Sequence, residues 1–192
     1  MARGFFALIS RMKYITRWAL MRNSVPENVQ EHSHMTAVIA HALAVIRRDV
    51  YKIPCDPGEA AAAALFHDAG EIFTGDMPTP IKYMSRELTS AYKDAERSAA
   101  GRLLAQLPQE LRESYVPLLT GGGETRDLVH AADKLSAYIK CIEEERAGNR
   151  EFRLAARQTK ARLEALNMPE VDYFIEQFIP PFKLTIDELG EP

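Results

Sequence analysis

The sequence holds only two cysteines, Cys55 and Cys141, far apart and in no C-x-x-C arrangement, which excludes a disulfide framework and a cysteine-built zinc site. That usage fits a reducing compartment. Long apolar runs are also missing: the longest is Ala60 to Phe66, far short of the ~20 residues that cross a bilayer, so no membrane association is expected. Neither charge sign dominates, since 24 Lys+Arg stand against 27 Asp+Glu. Bulk electrostatics therefore give no reason to expect attachment to nucleic acid or to an anionic membrane, and the expected partner is a small molecule. The apolar block Phe5 to Ile9 runs into Arg11 and Lys13 without a small-residue cleavage site, which argues against a secretory signal and for a cytoplasmic location. Internal repeats, low-complexity tracts and linkers are absent, and residues 1–192 are expected to form a single domain. The run Gly121 to Gly123 lacks the Lys and Ser/Thr of a phosphate loop and reads as a connector.

What is present is an ordinary globular composition, 46% hydrophobic and 27% charged over 192 residues. A domain of this size buries roughly 70% of the surface that its unfolded chain exposes. It needs no metal for stability, and any metal would serve chemistry. No segment alternates convincingly over five or more residues, and the apolar period is helical nearly throughout, so the fold class is all-α. Phe5, Leu8, Ile9 and Met12 share a first helical face, followed by an irregular stretch through Arg17, Trp18, Asn23 and Pro26. Asn28 and Glu31 make a capping box for a second helix, whose stripe is Val29, His32, Thr36, Ile39, Leu43, Ile46 and Val50. Asp56 and Pro57 open a third, alanine-rich helix. Residues 74–80, with Pro78 and Pro80, read as a loop. Further helices are expected over about 86–106, after Pro108, along Leu128 to Ile142, along Phe152 to Leu166 after the Asn149 cap, and from Pro169 to the stop at Pro180 and Pro181. The total is about six or seven.

Chemistry concentrates at the end of the alanine-rich helix. His67 and Asp68 follow directly on two core residues, and Glu71 lies on their side of the helix if it continues through Gly70. Ionisable groups crowded at an apolar helix end are costly unless charge is offset, and a divalent cation is the simplest compensation. Imidazole with carboxylate suits first-row ions such as Mn, Co, Fe or Zn. His32, on the apolar stripe of the second helix, is the best further imidazole. Asp133, beside the stripe of the Leu128 to Ile142 helix, is the best further carboxylate. Each has a plain alternative: a satisfied core histidine for His32, a salt bridge to Lys134 for Asp133, a solvated helix-end acid for Glu71, a turn residue for Asp76. Arg17 and Trp18 offer a guanidinium for phosphate and an indole for shape, or a stacked surface pair. His34, His41 and His130 read as structural or solvent-facing.

Taken together, His32, His67-Asp68 and Asp133 resemble the H…HD…D signature of the HD-domain metal-dependent phosphohydrolases. More closely, Arg17 to Arg22, Glu31-His32-Ser33, His67 to Glu71, Thr74 to Pro80, Ala132-Asp133 and Tyr173-Phe174 are similar to the bacterial 5'-deoxynucleotidases along nearly the whole chain. The resemblance implies an HD-domain helical bundle and a homodimeric enzyme. Such an enzyme hydrolyses deoxyribonucleoside 5'-monophosphates to deoxynucleoside and phosphate with one divalent cation, Co, Mn or a similar first-row ion, and with little base preference. It further implies that His32, His67, Asp68 and Asp133 hold the metal and that Glu71 is essential for catalysis. Arg17 would orient the phosphate, Asp76 would bond the sugar, Trp18 would pack near the 2' carbon, and Met77, Pro78 and Thr79 would line the sugar and phosphate region, with His32, Asp68 and Asp133 also touching substrate. Gly70 and His34 depart from the family pattern, the first loosening the helix end that aims Glu71, the second offering a competing metal site. Two other readings remain open on the sequence: an HD phosphohydrolase of triphosphates or phosphodiesters, and a metal-binding helical module without turnover.

Overall fold

The computed structural model describes residues 3–82 and 84–190; the ends of the expected 1–192 domain lie outside them. Among the described residues no strand forms, and the one isolated bridge is antiparallel, between Thr16 and Asn28. Helix α1 (Phe5–Ile9) continues as a 3-10 turn, Ser10–Tyr14, and buries Phe5 and Met12. Helix α2 (Val29–Val45) starts on the expected capping box: the Asn28 side chain accepts from the Glu31 N–H at 3.0 Å, and Glu31 accepts from the Asn28 N–H at 3.1 Å. Its stripe is buried from Val29 to Ile46, but Val50 is 47% exposed. From Ile46 to Val50 the helix widens into a π turn, with the Tyr51 N–H reaching the Ile46 carbonyl, and the wider turn rotates Val50 off the stripe.

Helix α3 (Pro57–Phe66) is capped by Asp56, whose carboxylate accepts from Gly58 and Glu59. Its α-ladder ends at Phe66 instead of running through Gly70. Bonds from Ala69 to Phe66, Glu71 to Asp68 and Phe73 to Gly70 are of the tighter i→i+3 type. The short α4 (Glu71–Thr74) follows and stops at Gly75, which takes φ +71°. The expected loop is shorter than residues 74–80, because α5 (Thr79–Lys82) forms with Pro80 in its first turn, where a missing N–H costs nothing. Helices α6 (Arg86–Ala105), α7 (Gln109–Thr120), α8 (Arg126–Arg146), α9 (Arg153–Glu164) and α10 (Pro169–Phe178) match the expected sites, and α11 is Ile186–Gly190. The short α1, α4, α5 and α11 bring the count slightly above six or seven. No described helix is long and apolar enough to cross a membrane.

Three apolar clusters organise the described residues, the smallest being Cys141, Phe152 and Ala156 with Trp18 packed against them. The largest joins Ile39, Leu43 and Ile46 of α2 to Ala60 and Ala64 of α3, Leu128, Leu135 and Ile139 of α8, Leu163 of α9 and Val171 and Phe174 of α10. The second joins Phe5, Met12, Val29, Ala69, Leu103 and Leu107. At about 1.5–3 kcal/mol for each fully buried Leu, Ile or Phe, these clusters dominate the stability of the fold. His32 lies between Val29 of the second cluster and Ala37 of the largest, and His67-Asp68 between Ala64 and Ala69. The polar residues of interest therefore sit at the seam of two rigid cores.

Candidate active site

At that seam α2, the α3–α4 turn and α8 bring four side chains together. His32 Nε2 lies 3.1 Å from Asp133 Oδ1 and 3.8 Å from Asp68 Oδ2, and His67 Nε2 lies 3.1 Å from the same Asp68 oxygen. One donor atom each from His32, His67 and Asp68 falls within 4.8 Å of the others. Both imidazoles are held from behind. The Ala64 carbonyl accepts from His67 Nδ1–H at 2.7 Å, and Ser136 Oγ lies 3.1 Å from His32 Nδ1. A carbonyl only accepts, so His67 carries a proton on Nδ1, and in its neutral form it turns the Nε2 lone pair toward a carboxylate. No hydrogen bond satisfies that buried nitrogen.

The electrostatics show the same crowding. Burial opposes a charged His67, yet Asp68, Asp133 and the Ala64 carbonyl outweigh it and bring the imidazole up to about 9. Burial likewise opposes ionised Asp68, but His67 and His32 hold it down to about 2. Asp133 is also held below the usual carboxylate range, against burial, by its bond to His32 and by the charges of His32, His67 and Arg17. Asp133 thus pairs with His32 rather than with Lys134. Glu71 is the exception: burial, then the charges of Asp68 and Asp76, push it up to about 10 in spite of Arg17 and Lys82, and its Oε2 is buried without a hydrogen-bond partner. Three to four residues separate Glu71 from Asp68 and His67, and the i→i+3 turn keeps Glu71 on the Asp68 side.

The donor set fits a first-row divalent cation. Two imidazoles, that of His67 with its tautomer fixed by the Ala64 carbonyl, and two carboxylates converge with spacings of 3.1–3.8 Å, near the ~3 Å that separates neighbouring ligand atoms around a metal at 2.0–2.2 Å, and a cation would answer both the orphaned His67 Nε2 and the excess of carboxylates.

Arg17, 9% exposed, donates from Nε to Glu27 at 3.1 Å and from Nη1 to Asp68 at 3.3 Å. Trp18 takes a left-handed backbone at φ +60°, packs on Phe152 with the rings tilted and their centroids 5.2 Å apart, and donates from its indole to Glu27 at 2.9 Å. A cavity of about 460 Å³ opens from Arg17 and Asp133 past Trp18, Met21, Asp76, Met77, Pro78 and Thr79, a size that suits a nucleotide. A further part of its wall is Lys134, Gln158, Thr159 and Arg162. The sequence reading missed that wall, and it missed Glu27. The wall's only sequence signal is helical spacing on α9 (158, 159, 162), and for Glu27 there is none short of the Thr16–Asn28 pairing. His34, His41 and His130 are exposed, as expected, and His34 does not reach the cluster. Gly70 has helical dihedrals, and a Cβ there would meet Ala99 at an ordinary 3.6 Å, so the departure leaves the turn intact.

A family model described as 5'-deoxynucleotidase YfbR-like matches residues 4–182. The chain belongs to the 5'-deoxynucleotidase YfbR-like family. A YfbR 5'-deoxynucleotidase from Shigella boydii is 45% identical over 190 residues, covering 97% of this chain and 96% of that protein, and one from Escherichia coli matches to the same extent. An HD-domain phosphohydrolase structure from Listeria innocua superimposes with a TM-score of 0.81 at 24% identity, over 93% of this chain and 88% of that one. The cyanophage S-2L HD phosphohydrolase, solved bound to dA and one catalytic Zn2+ ion, gives a TM-score of 0.58 at 24% identity, over 91% and 95%. At such identity the two structures speak for the fold alone, and that fold is the HD-type helical bundle found in this YfbR-like chain.

Proposed function

We propose that this chain is a 5'-deoxynucleotidase: it hydrolyses deoxyribonucleoside 5'-monophosphates to deoxynucleoside and phosphate with a divalent cation, as a single domain. The carrying observation is the cluster of His32, His67 and Asp68, joined by Asp133 at 3.1 Å from His32, beside a nucleotide-sized cavity lined by Arg17, Trp18, Asp76 and Asp133. His32, His67, Asp68 and Asp133 are the residues that would hold the cation, which supplies Lewis acidity toward the phosphoryl group and toward a water. The cation is read as Co or Mn in preference to Mg, on the imidazole content of the donor set.

The remaining work falls to the chain's own side chains. Arg17 engages Glu27 and Asp68 with two of its five N–H donors, which leaves donors for the phosphoryl oxygens as negative charge builds on them. Glu71 moves a proton at Oε2. Its carboxyl is held up first by burial and then by the charges of Asp68 and Asp76; a cation held by Asp68 would offset the charge of that neighbour, and in its ionised form Glu71 takes the proton of the attacking water. The water oxygen bonds to phosphorus as the P–O5' bond breaks, and the proton that Glu71 took from the water passes to the departing 5' oxygen, so the nucleoside leaves as the alcohol. Asp76 accepts from a sugar hydroxyl, and Trp18 stands as a rigid wall at the 2' carbon, where a ribose hydroxyl would overlap it. Met77, Pro78 and Thr79 line the same region. Breadth in the base rests on the family resemblance. A homodimer in the cytoplasm completes the reading, resting on the family resemblance and on the cysteine usage of the sequence.

Phosphate release from dAMP, AMP, dATP and a cyclic dinucleotide, each with Mn, Co and Mg, tests the proposal. Preference for dAMP with Mn or Co is expected; preference for the triphosphate or the cyclic dinucleotide would refute the substrate assignment.

A further inference from the structure

The chain from Ile15 to Arg17 pairs antiparallel with Glu27 to Val29. Arg17 N–H bonds the Glu27 carbonyl and Val29 N–H bonds the Ile15 carbonyl, both at 2.9 Å, around the Thr16–Asn28 bridge. This pairing sets the Glu27 side chain beside both residues that follow Thr16. A single carboxylate oxygen, Oε2, then accepts from Arg17 Nε at 3.1 Å and from Trp18 Nε1 at 2.9 Å. Glu27 and Arg17 are both largely shielded, with 15% and 11% of their side chains exposed, so these charge-assisted bonds are worth more than surface pairs. Trp18 needs such support, because a left-handed backbone is unfavourable for a residue with a bulky side chain. Met21 N–H and Asn23 Nδ2 fix its carbonyl and Phe152 backs its ring, but Glu27 is the hydrogen-bond partner of the indole.

We infer that Glu27 is a positioning residue that ties phosphate recognition to sugar discrimination, fixing the Arg17 guanidinium and the Trp18 indole against one oxygen. The inference rests on the roles proposed above for Arg17 and Trp18. An oxygen shared in this way means that loss of the side-chain oxygen at position 27 releases the phosphate grip and the 2' wall together.

Trp18 is the only tryptophan in the sequence, so intrinsic fluorescence reports on this site without reference to turnover. The test compares wild type, Glu27→Gln and Glu27→Ala as Mn-loaded enzyme, reading kcat and KM for dAMP and AMP, and the emission of each protein without substrate. Glu27→Gln keeps an oxygen for the indole and removes the charge opposite Arg17. It should lower kcat/KM for dAMP by about tenfold, with emission and the dAMP/AMP ratio near wild type. Glu27→Ala should lower kcat/KM further, cut the dAMP/AMP ratio by about fivefold or more and shift the emission maximum. If wild type favours dAMP while Glu27→Ala, or Glu27→Gln should the former not fold, keeps both the wild-type kcat/KM and the wild-type ratio, the inference is overturned and the reading beneath it stands. If wild type itself does not favour dAMP, the role given to Trp18 is wrong and the sugar half of the inference falls with it.

Discussion

Helix α8 carries two buried charged clusters a few turns apart, and they are solved in opposite ways. Toward its C-terminal end Lys140 and Glu144 pair one turn apart, both almost fully buried. The Glu144 carboxylate also accepts from the backbone of Ser24 at 2.8 Å and Val25 at 3.2 Å and from Asn149 at 2.7 Å, while Lys140 donates to the Val25 carbonyl. Every charge has its counterpart, and the cluster pins the 22–25 segment, just beyond Trp18, onto α8. Around Asp133 the balance fails. Asp68, Glu71, Asp76 and Asp133 gather near Arg17, His32 and His67, and two of the buried side-chain atoms without hydrogen bonds among the described residues are His67 Nε2 and Glu71 Oε2, the others being neutral oxygens. A buried charge cluster complete within the chain holds structure, whereas one that needs something from outside is where chemistry is to be sought.

The largest effect expected from breaking this contrast is on the incomplete side. Asp68→Ala or His67→Ala should lose bound Mn or Co, measured by metal analysis after gel filtration, and lose about 10³-fold in kcat/KM, the several kcal/mol of a missing Lewis acid. The metal-free His67→Ala protein should also melt lower, because the imidazole that holds Asp68 and Asp133 ionised is gone. Removing Glu144 should instead cost stability alone. Glu144→Ala leaves Lys140 buried and unpaired and frees the 22–25 backbone, at a cost of about 3–5 kcal/mol in denaturant unfolding, while metal stoichiometry stays at wild type. The acid limb sharpens this. Glu144 is held to about 2, against burial, by Lys140, Asn149 and the Ser24 and Val25 amides. Its contribution is therefore present above the unfolded value near 4.5 and is lost as pH falls toward about 2, so Glu144→Gln should flatten that part of the stability–pH curve.

Glu71→Gln comes next in size: kcat should fall about 10²-fold or more with metal binding and KM little changed. A rise in KM with kcat intact would make Glu71 a binding group. Its stability effect on the metal-free protein should be slight below the unfolded value near 4.5, should turn favourable as pH rises above it, where the unfolded chain ionises Glu71 while the fold keeps it protonated, and should level off above about 10. The smallest effect is at the sugar. Trp18→Ala should lower the dAMP over AMP ratio of kcat/KM by about tenfold, and an unchanged ratio would move selection to Asp76.

How much of this was legible in the sequence follows the range of the interactions. The starts of α2 and α3 depend on residues within one turn, Asn28 with Glu31 and Asp56 with Pro57, and local chemistry reveals them. His32 and Asp133 could be proposed because a titratable group on or beside an apolar stripe is costly. That they meet at 3.1 Å depends on the packing of α2 on α8, which no spacing encodes. The π turn at Ile46, the i→i+3 turn after Phe66 and the short α5 are adjustments to packing and were missed. Glu27 escaped notice for the same reason: its partners lie nine and ten residues away, across a backbone pairing too short to leave an alternating pattern.

The central claim is that the cluster around Asp133 is completed by a cation and is then catalytic. Melting temperature and phosphate release from dAMP, followed on one preparation that is stripped with chelator and then titrated with Mn, test it together. The account predicts no turnover in the stripped protein, a melting temperature that climbs with Mn through preferential binding to the folded state, and turnover that saturates over the same range. Full turnover after exhaustive chelation, or a melting temperature indifferent to Mn, would contradict it.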